Sequence, residues 1–192
     1  MGTLCLMLVV TQCAKKPAES YKVGAIFAIT GRASWLGEPE RNTAMMIAEK
    51  INAAGGINGH LLELIIEDTV GDATKTVNAV NKLIEKDQVL AIIGPSRSGC
   101  TMAVVPIVEK AQVPLLSCAA IEAIVEPVAK RQWIFKTPQK DSHAVIRIYE
   151  HMQSKGISKI ALMTGTTGFG AGGRAPLKKI AGEMGITIVA DE

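Results

Sequence analysis

Apolar positions along the chain fall into runs of two periods. Tyr21–Ala28 is a near-continuous apolar stretch, the pattern of a strand buried on both faces. Glu38–Ala54 carries Ala44, Ile47, Ala48 and Ile51 at helical spacing, and Gly55-Gly56 stops it. Leu61–Glu67 reads as a second strand. Asp72 is placed to cap a helix running to Lys86, with Val77, Val80, Leu83 and Ile84 on one face. Val89–Gly94 is a strand and Ser98–Ala111 a helix. Val113–Ser117 and the short Ile134–Lys136 are strands. Ser142–Lys155 is a helix, Lys159–Thr164 a strand, Arg174–Met184 a helix and Ile186–Val189 a last strand. Strand and helix in alternation predict an α/β fold, a parallel sheet with helices on both faces. The alternation stops at Glu192 with no closing helix, the pattern expected of a fragment.

The N-terminus follows a different rule. Leu4–Val10 is almost wholly apolar, too short to span a bilayer as a helix and suited to the apolar part of an export signal. Cys13 follows after Thr11-Gln12, with Gln12 where a small residue is usual, and precedes the polar stretch Ala14-Lys15-Lys16-Pro17. That placement resembles the acylated cysteine of a bacterial lipoprotein signal; the alternative is an ordinary export signal.

Composition narrows the function classes. Of 192 residues, 48% are apolar and 20% charged, which marks a folding chain. A net charge of +3 and the lack of any Lys/Arg stripe argue against a nucleic-acid partner. Cys100 and Cys118 follow successive predicted strands, so they read either as two small buried thiols or as a disulfide. His60, His143 and His151 lack metal-ligand spacing, and none neighbours a nucleophile. No catalytic residue, metal or cofactor is expected.

In open parallel sheets ligands bind beyond the carboxyl ends of the strands. That rule selects the loops 29–37, 68–72, 95–99, 118–124 and 165–173. Ser98-Gly99 opens a helix, where free N–H groups and the helix dipole suit a carboxylate. The plainer role for Ser98 is a helix cap; Arg97 nearby either pairs with an acid or is a solvated surface position, the plainer of the two. Trp35, beside Gly37, is placed to wall a pocket or to pack on its own unit. Gly168-x-Gly170-x-x-Gly173, with Asp191 about 20 residues on, matches the dinucleotide fingerprint. The match is weak, because Gly165-Thr166-Thr167 intervenes after the strand and Pro176 sits in the following helix.

A longer set of residues points elsewhere. Ile51-Asn-Ala-Ala-Gly-Gly-Ile-Asn-Gly59 is followed by Leu62-Glu-Leu-Ile-Ile-Glu-Asp68 and Gly71-Asp72. Thr30-Gly31 precedes it, and Ile93-Gly94-Pro95-Ser96-Arg97-Ser98-Gly99, Val113-Pro-Leu-Leu-Ser117, Trp133-Ile-Phe-Lys-Thr137 and Gly168-Phe-Gly170 follow. With these residues the chain resembles the leucine/isoleucine/valine-binding protein family, periplasmic receptors of ABC importers, over about residues 21–192. The resemblance implies the type I periplasmic-binding-protein fold, two hinged lobes closing on a small molecule. It divides the chain into an export signal and tether (1–20), a first lobe (21–140) and the incomplete start of a second (141–192).

What the resemblance implies for the site is specific. Ser98 and Gly99 match the family's carboxylate position, with Ala119 and Ala120 adding backbone groups. Ser34, Trp35 and Leu36 supply an apolar wall. Ile121 stands where many members have Thr, and Phe169 where they often have Tyr. Both substitutions move the pocket from a plain branched-chain amino acid toward a more apolar or aromatic acid. Asp141 is a helix cap or an ammonium partner. The implied protein is an extracytoplasmic receptor that captures a small carboxylate or amino acid and docks on ABC permease subunits, in the periplasm or cell envelope, with Cys13 as a lipid attachment point. Two rivals are a nucleotide-dependent enzyme built on the glycine loop and a ligand-sensing domain of a signalling receptor.

Overall fold

The first apolar run forms β1 (Tyr21–Phe27) at the centre of a five-stranded parallel sheet ordered β2-β1-β3-β4-β5. The computed structural model describes residues 19–192, so Leu4–Val10 and Cys13, and the export and lipid readings placed on them, lie outside the described residues. The other strands of this sheet are β2 (Leu62–Asp68), β3 (Ala91–Ile93), β4 (Leu115–Ser117) and β5 (Ile134–Lys136). A separate parallel pair joins β6 (Lys159–Leu162) to β7 (Thr187–Asp191).

Strand register explains which helix covers which face. Ile92, Leu115 and Ile134 share one row across β3, β4 and β5. They face α2 (Ala73–Asn81) and α3 (Ser98–Ala111), and bury with Val80, Leu83, Val104 and Val108 in one continuous core. Ala25, Ile93, Leu116 and Phe135 form the neighbouring row on the opposite face. There α1 (Ser34–Ala53) packs over β1 and β2 and buries Ala25 and Phe27. Further along that row Leu116 is 39% exposed and Phe135 53%. The β6–β7 pair carries α4 (Asp141–Ser154) and α5 (Gly168–Glu183) on one face, with Val145, Tyr149, Ile180, Ala181 and Ile186 as a second, smaller core.

Two helices start earlier than sequence pattern alone predicts. α1 begins at Ser34 rather than Glu38, after a 3-10 turn at Gly31–Ala33. Gly37 and Pro39 are poor helix formers, which hides this start. Packing requires it, because a Cβ at Gly37 would lie 2.3 Å from the Ala28 carbonyl group. α5 begins at Gly168 rather than Arg174, with Thr167 as its cap, accepting from Gly170 N at 3.4 Å. The helix capped by Asp72 forms as expected, with Lys75 N donating to its Oδ1 at 2.8 Å, but its last turn, Lys82–Lys86, is π-helical. Among the described residues no helix is long and apolar enough to cross a membrane.

Candidate functional site

Strand order places the switch point of the large sheet between β1 and β3, where successive connections leave in opposite directions. A cleft of about 790 Å³ lies at the carboxyl ends of these strands. Its walls come from the segments after β1 (Arg32–Leu36), β2 (Gly71), β3 (Ser96–Cys100) and β4 (Cys118–Ala120), and from Thr167–Phe169 at the start of α5. It is bounded by the loops and helix starts that adjoin the large sheet and by the start of α5, which packs on the β6–β7 pair.

The floor is the N-terminus of α3. The first intrahelical bond runs from Thr101 N to the Arg97 carbonyl at 2.9 Å, which leaves the amides of Ser98, Gly99 and Cys100 without helical acceptors. Ser98 is 4% exposed and lines the cleft. It is not the cap: Arg97 holds that position, and the Ser98 hydroxyl makes no protein hydrogen bond among the described residues. An unpartnered hydroxyl on the cleft wall, beside free amides, suits an anionic oxygen.

Other side chains hold this floor in place. Ser96 Oγ accepts from Ala28 N at 3.0 Å and donates to Glu40, tying the segment after β3 to β1 and α1. Burial raises the Glu40 carboxyl above its ordinary range, partly offset by the Ser96 hydroxyl. Thr101 Oγ1 and Ser117 Oγ lie 2.8 Å apart beneath the cleft. Asp68, at the end of β2, accepts from Ile29 N, Thr30 N, Thr30 Oγ1 and Val70 N at 2.5–3.3 Å. Burial works to raise its carboxyl, but these four donors together hold it below the usual carboxylate range. Asp68 thereby shapes the turn that presents Arg32–Leu36. The sequence places it at the start of the selected 68–72 loop, but its partners in the loop after β1 appear only on folding.

The cleft gathers seven of the residues expected there: Trp35, Leu36, Ser98, Gly99, Ala119, Ala120 and Phe169. Trp35 on α1 and Phe169 on α5 are both exposed and both line it. Ser34 is not among the lining residues, and it and Trp35 belong to the first turn of α1 rather than to a loop. Ala119 N donates to Ser117 Oγ at 3.1 Å, so the free amide of that segment belongs to Ala120.

Two residues depart further from expectation. Ile121 is buried in the core and packs toward α5, where a Cβ at Gly172 would lie 2.6 Å from its Cγ2. It does not line the cleft, because the 3-10 turn at Glu122–Ile124 draws it inward. Asp141 is not the cap of α4, which is Lys140. Its Oδ2 accepts from Glu122 N at 3.0 Å, while Glu122 accepts from Ser142 N at 3.1 Å. This reciprocal pair staples the segment after β4 to α4, and Asp141 is spent on it.

The glycine spacing that suggests a dinucleotide loop has a packing cause. Gly168 and Gly170 lie within the first turn of α5, not in a strand-to-helix loop. A Cβ on Gly168 would come within 2.8 Å of Gly99 N, and one on Gly170 within 2.1 Å of the Gly165 carbonyl. Asp191, the residue that would hold a ribose, lies 2.6 Å from Arg174 Nη2 and 2.7 Å from Lys178 Nζ. Cys100 and Cys118 are free thiols. Burial, with the Glu40 carboxylate nearby, pushes Cys118 up to about 12.

A doubly wound sheet, a cleft at its switch point and a second unit supplying the facing wall define a two-part α/β binding protein. Residues 20–192 match the periplasmic binding protein family, and the chain belongs to it. Its fold is the type I periplasmic-binding-protein fold. The leucine-, isoleucine-, valine-, threonine- and alanine-binding protein of Pseudomonas aeruginosa is 32% identical over 103 residues, which is 54% of this chain and 27% of that protein. An extracellular ligand-binding receptor from Rhodopseudomonas palustris superposes with a TM-score of 0.80 at 31% identity, over 91% of this chain and 46% of that one. A solute-binding protein of an ABC transporter from the same species, solved with 3,4-dihydroxybenzoic acid, gives 0.79 at 25% identity, over 90% and 46%. The chain thus spans about half the length of these solved relatives. The relatives are solute-binding proteins rather than enzymes, and the family is extracytoplasmic.

Proposed function

We propose that this chain is the ligand-capturing part of an ABC importer's solute receptor, taking a small carboxylate between two lobes without transforming it. The β1–β5 sheet is the core of one lobe and the β6–β7 unit belongs to the other, with the crossing near 137–141. The observation that carries this reading is the unpartnered Ser98 hydroxyl beside the free amides of α3, in a cleft that Trp35 on α1 and Phe169 on α5 also line. The acid binds at Ser98, Gly99 and the Ala120 amide, and the apolar body lies between Trp35 or Leu36 and Phe169.

Both an amino acid and an aromatic acid are represented among the ligands that relatives are named for or solved with. The Trp35 and Phe169 faces favour the aromatic or aliphatic acid, since apolar area supplies affinity at about 25 cal/mol per Å². Ile121 no longer bears on this choice, because it lies in the core. Docking on ABC permease subunits, export, and tethering through Cys13 complete the reading. Thermal-shift screening of the full natural polypeptide against leucine, valine, benzoate and hydroxybenzoates tests it, followed by calorimetry. Stabilisation by benzoates above leucine is the expected outcome. A strong response to leucine alone overturns the aromatic preference, and no response to any acid overturns the carboxylate site.

A further inference from the structure

The charge around the cleft exceeds what one carboxylate would neutralise. The N-termini of α3 and α5 face each other there, closely enough that a Cβ on Gly168 would meet Gly99 N at 2.8 Å. Each carries about half a positive charge from its free amides. Arg32 and Arg97 also line the cleft, and neither forms an ion pair among the described residues. Together these features put about three positive charges around one space. No Asp or Glu is among its described lining residues.

Arg97 is the better placed of the two arginines. It immediately precedes Ser98, so its backbone belongs to the same floor. One end of its guanidinium is fixed: Nη1 donates to the Gly71 carbonyl at 2.9 Å. Gly71 permits that approach, since a Cβ there would lie 3.0 Å from Arg97 Cδ. The Nε and Nη2 donors make no protein hydrogen bond among the described residues. A guanidinium anchored at one nitrogen and free at the others presents a planar fork suited to a carboxylate.

We infer that Arg97, assisted by Arg32, forms a second anion subsite, and that the ligand is a dicarboxylate with an apolar spacer. One acid group sits on the α3 amides and the Ser98 hydroxyl, and the other on the free edge of Arg97. The spacer lies against Trp35 and Phe169. This rests on the carboxylate reading above and extends it: Arg97 decides between acids that otherwise share the same first subsite.

The test compares matched pairs on the full natural polypeptide by calorimetry at low salt: glutarate against valerate, adipate against hexanoate, isophthalate against benzoate. At least one diacid should bind roughly 10- to 100-fold more tightly than its monoacid, the scale of one or two charge-assisted hydrogen bonds. Arg97→Gln removes the charge and the guanidinium fork, so the diacid-to-monoacid ratio should fall to near one. Arg97→Lys should leave an intermediate ratio. Equal affinities within every pair, or a diacid preference that survives Arg97→Gln, overturns the second subsite while leaving the first in place. Failure of all six acids to bind overturns the carboxylate reading as well. The wild-type ratio is decisive without any variant, should Arg97→Gln fold poorly.

Discussion

The five-stranded sheet and the β6–β7 pair obey the same βα rule with different results. In the first, a row on one face is covered by α2 and α3 and the centre of the other by α1, so most of β1 is buried. In the second, α4 and α5 cover one face, and Val189 on β7 stays 62% exposed. Parallel strands gain most when both faces are sheltered from water. The comparison therefore predicts an uneven chain: a cooperative core around β1 and β3, and a looser unit whose helix α5 nevertheless supplies one wall of the cleft. Ligand-gripping elements are commonly drawn from the less stable part of a protein.

The largest effect should come from the core of the first sheet. Leu115 is 0% exposed, and Leu115→Ala should cost about 2–5 kcal/mol, whereas Val189→Ala should stay within about 0.5 kcal/mol. Urea unfolding followed by circular dichroism measures both. Similar losses at the two sites would break the comparison.

Across the cleft the two units make different contributions. Phe169→Ala, on the second unit, removes apolar area and should weaken ligand binding by about 2 kcal/mol. Ser98→Ala, on the first, removes one charge-assisted hydrogen bond and should cost about 1 kcal/mol. Calorimetry with the best acid from the screen reads the difference.

Within the second unit, Tyr149 is buried and its hydroxyl donates to the Leu177 carbonyl at 2.9 Å, joining α4 to α5. Tyr149→Phe should lower stability by about 1 kcal/mol. Hydrogen exchange should show faster opening in α4, α5, β6 and β7, with β1 and β3 unchanged. Equal acceleration everywhere would mean that both units open together.

The smallest predicted effects have opposite pH signs in the two regions. Burial raises the Glu40 carboxyl from its ordinary 4.5, against the Ser96 hydroxyl, so the folded chain holds that proton more tightly than the unfolded one. The resulting stabilisation is full below 4.5 and is lost as pH rises through the raised value. The Lys178 hydrogen bond, outweighing burial and aided by Arg174, lowers the Asp191 carboxyl below its ordinary 3.8. That contribution is present above 3.8 and is lost as pH falls through the lowered value. Melting temperatures between pH 3 and 7 should show Glu40→Gln removing a decline at the upper end and Asp191→Asn removing one at the acid end.

Much of this organisation is already present in the order of residues. α3 at Ser98–Ala111 and β5 at Ile134–Lys136 coincide with their apolar pattern, and Asp72 caps the helix it precedes. The general location of the cleft follows from the strand ends alone. The starts of α1 and α5 do not, because Gly37, Pro39 and the glycines from Gly168 to Gly173 carry the local signal of a turn. Those helices begin early because their glycines let backbone approach backbone, Gly37 against Ala28 and Gly168 against Gly99.

The same division holds at the site. Residue types and spacing, together with a family resemblance, single out Ser98, Gly99, Trp35 and Phe169, and folding brings all four to one cleft. Only the tertiary structure decided that Ile121 turns into the core and that Asp141 is occupied by Glu122 N. It also decided that Asp68 shapes the opposite loop and that Arg97 reaches Gly71 while leaving part of its fork free. Periodicity encodes which face of an element is apolar, a property of neighbours along the chain. Which polar group is already satisfied depends on partners 19 to 39 residues away, and only folding brings those within hydrogen-bond reach.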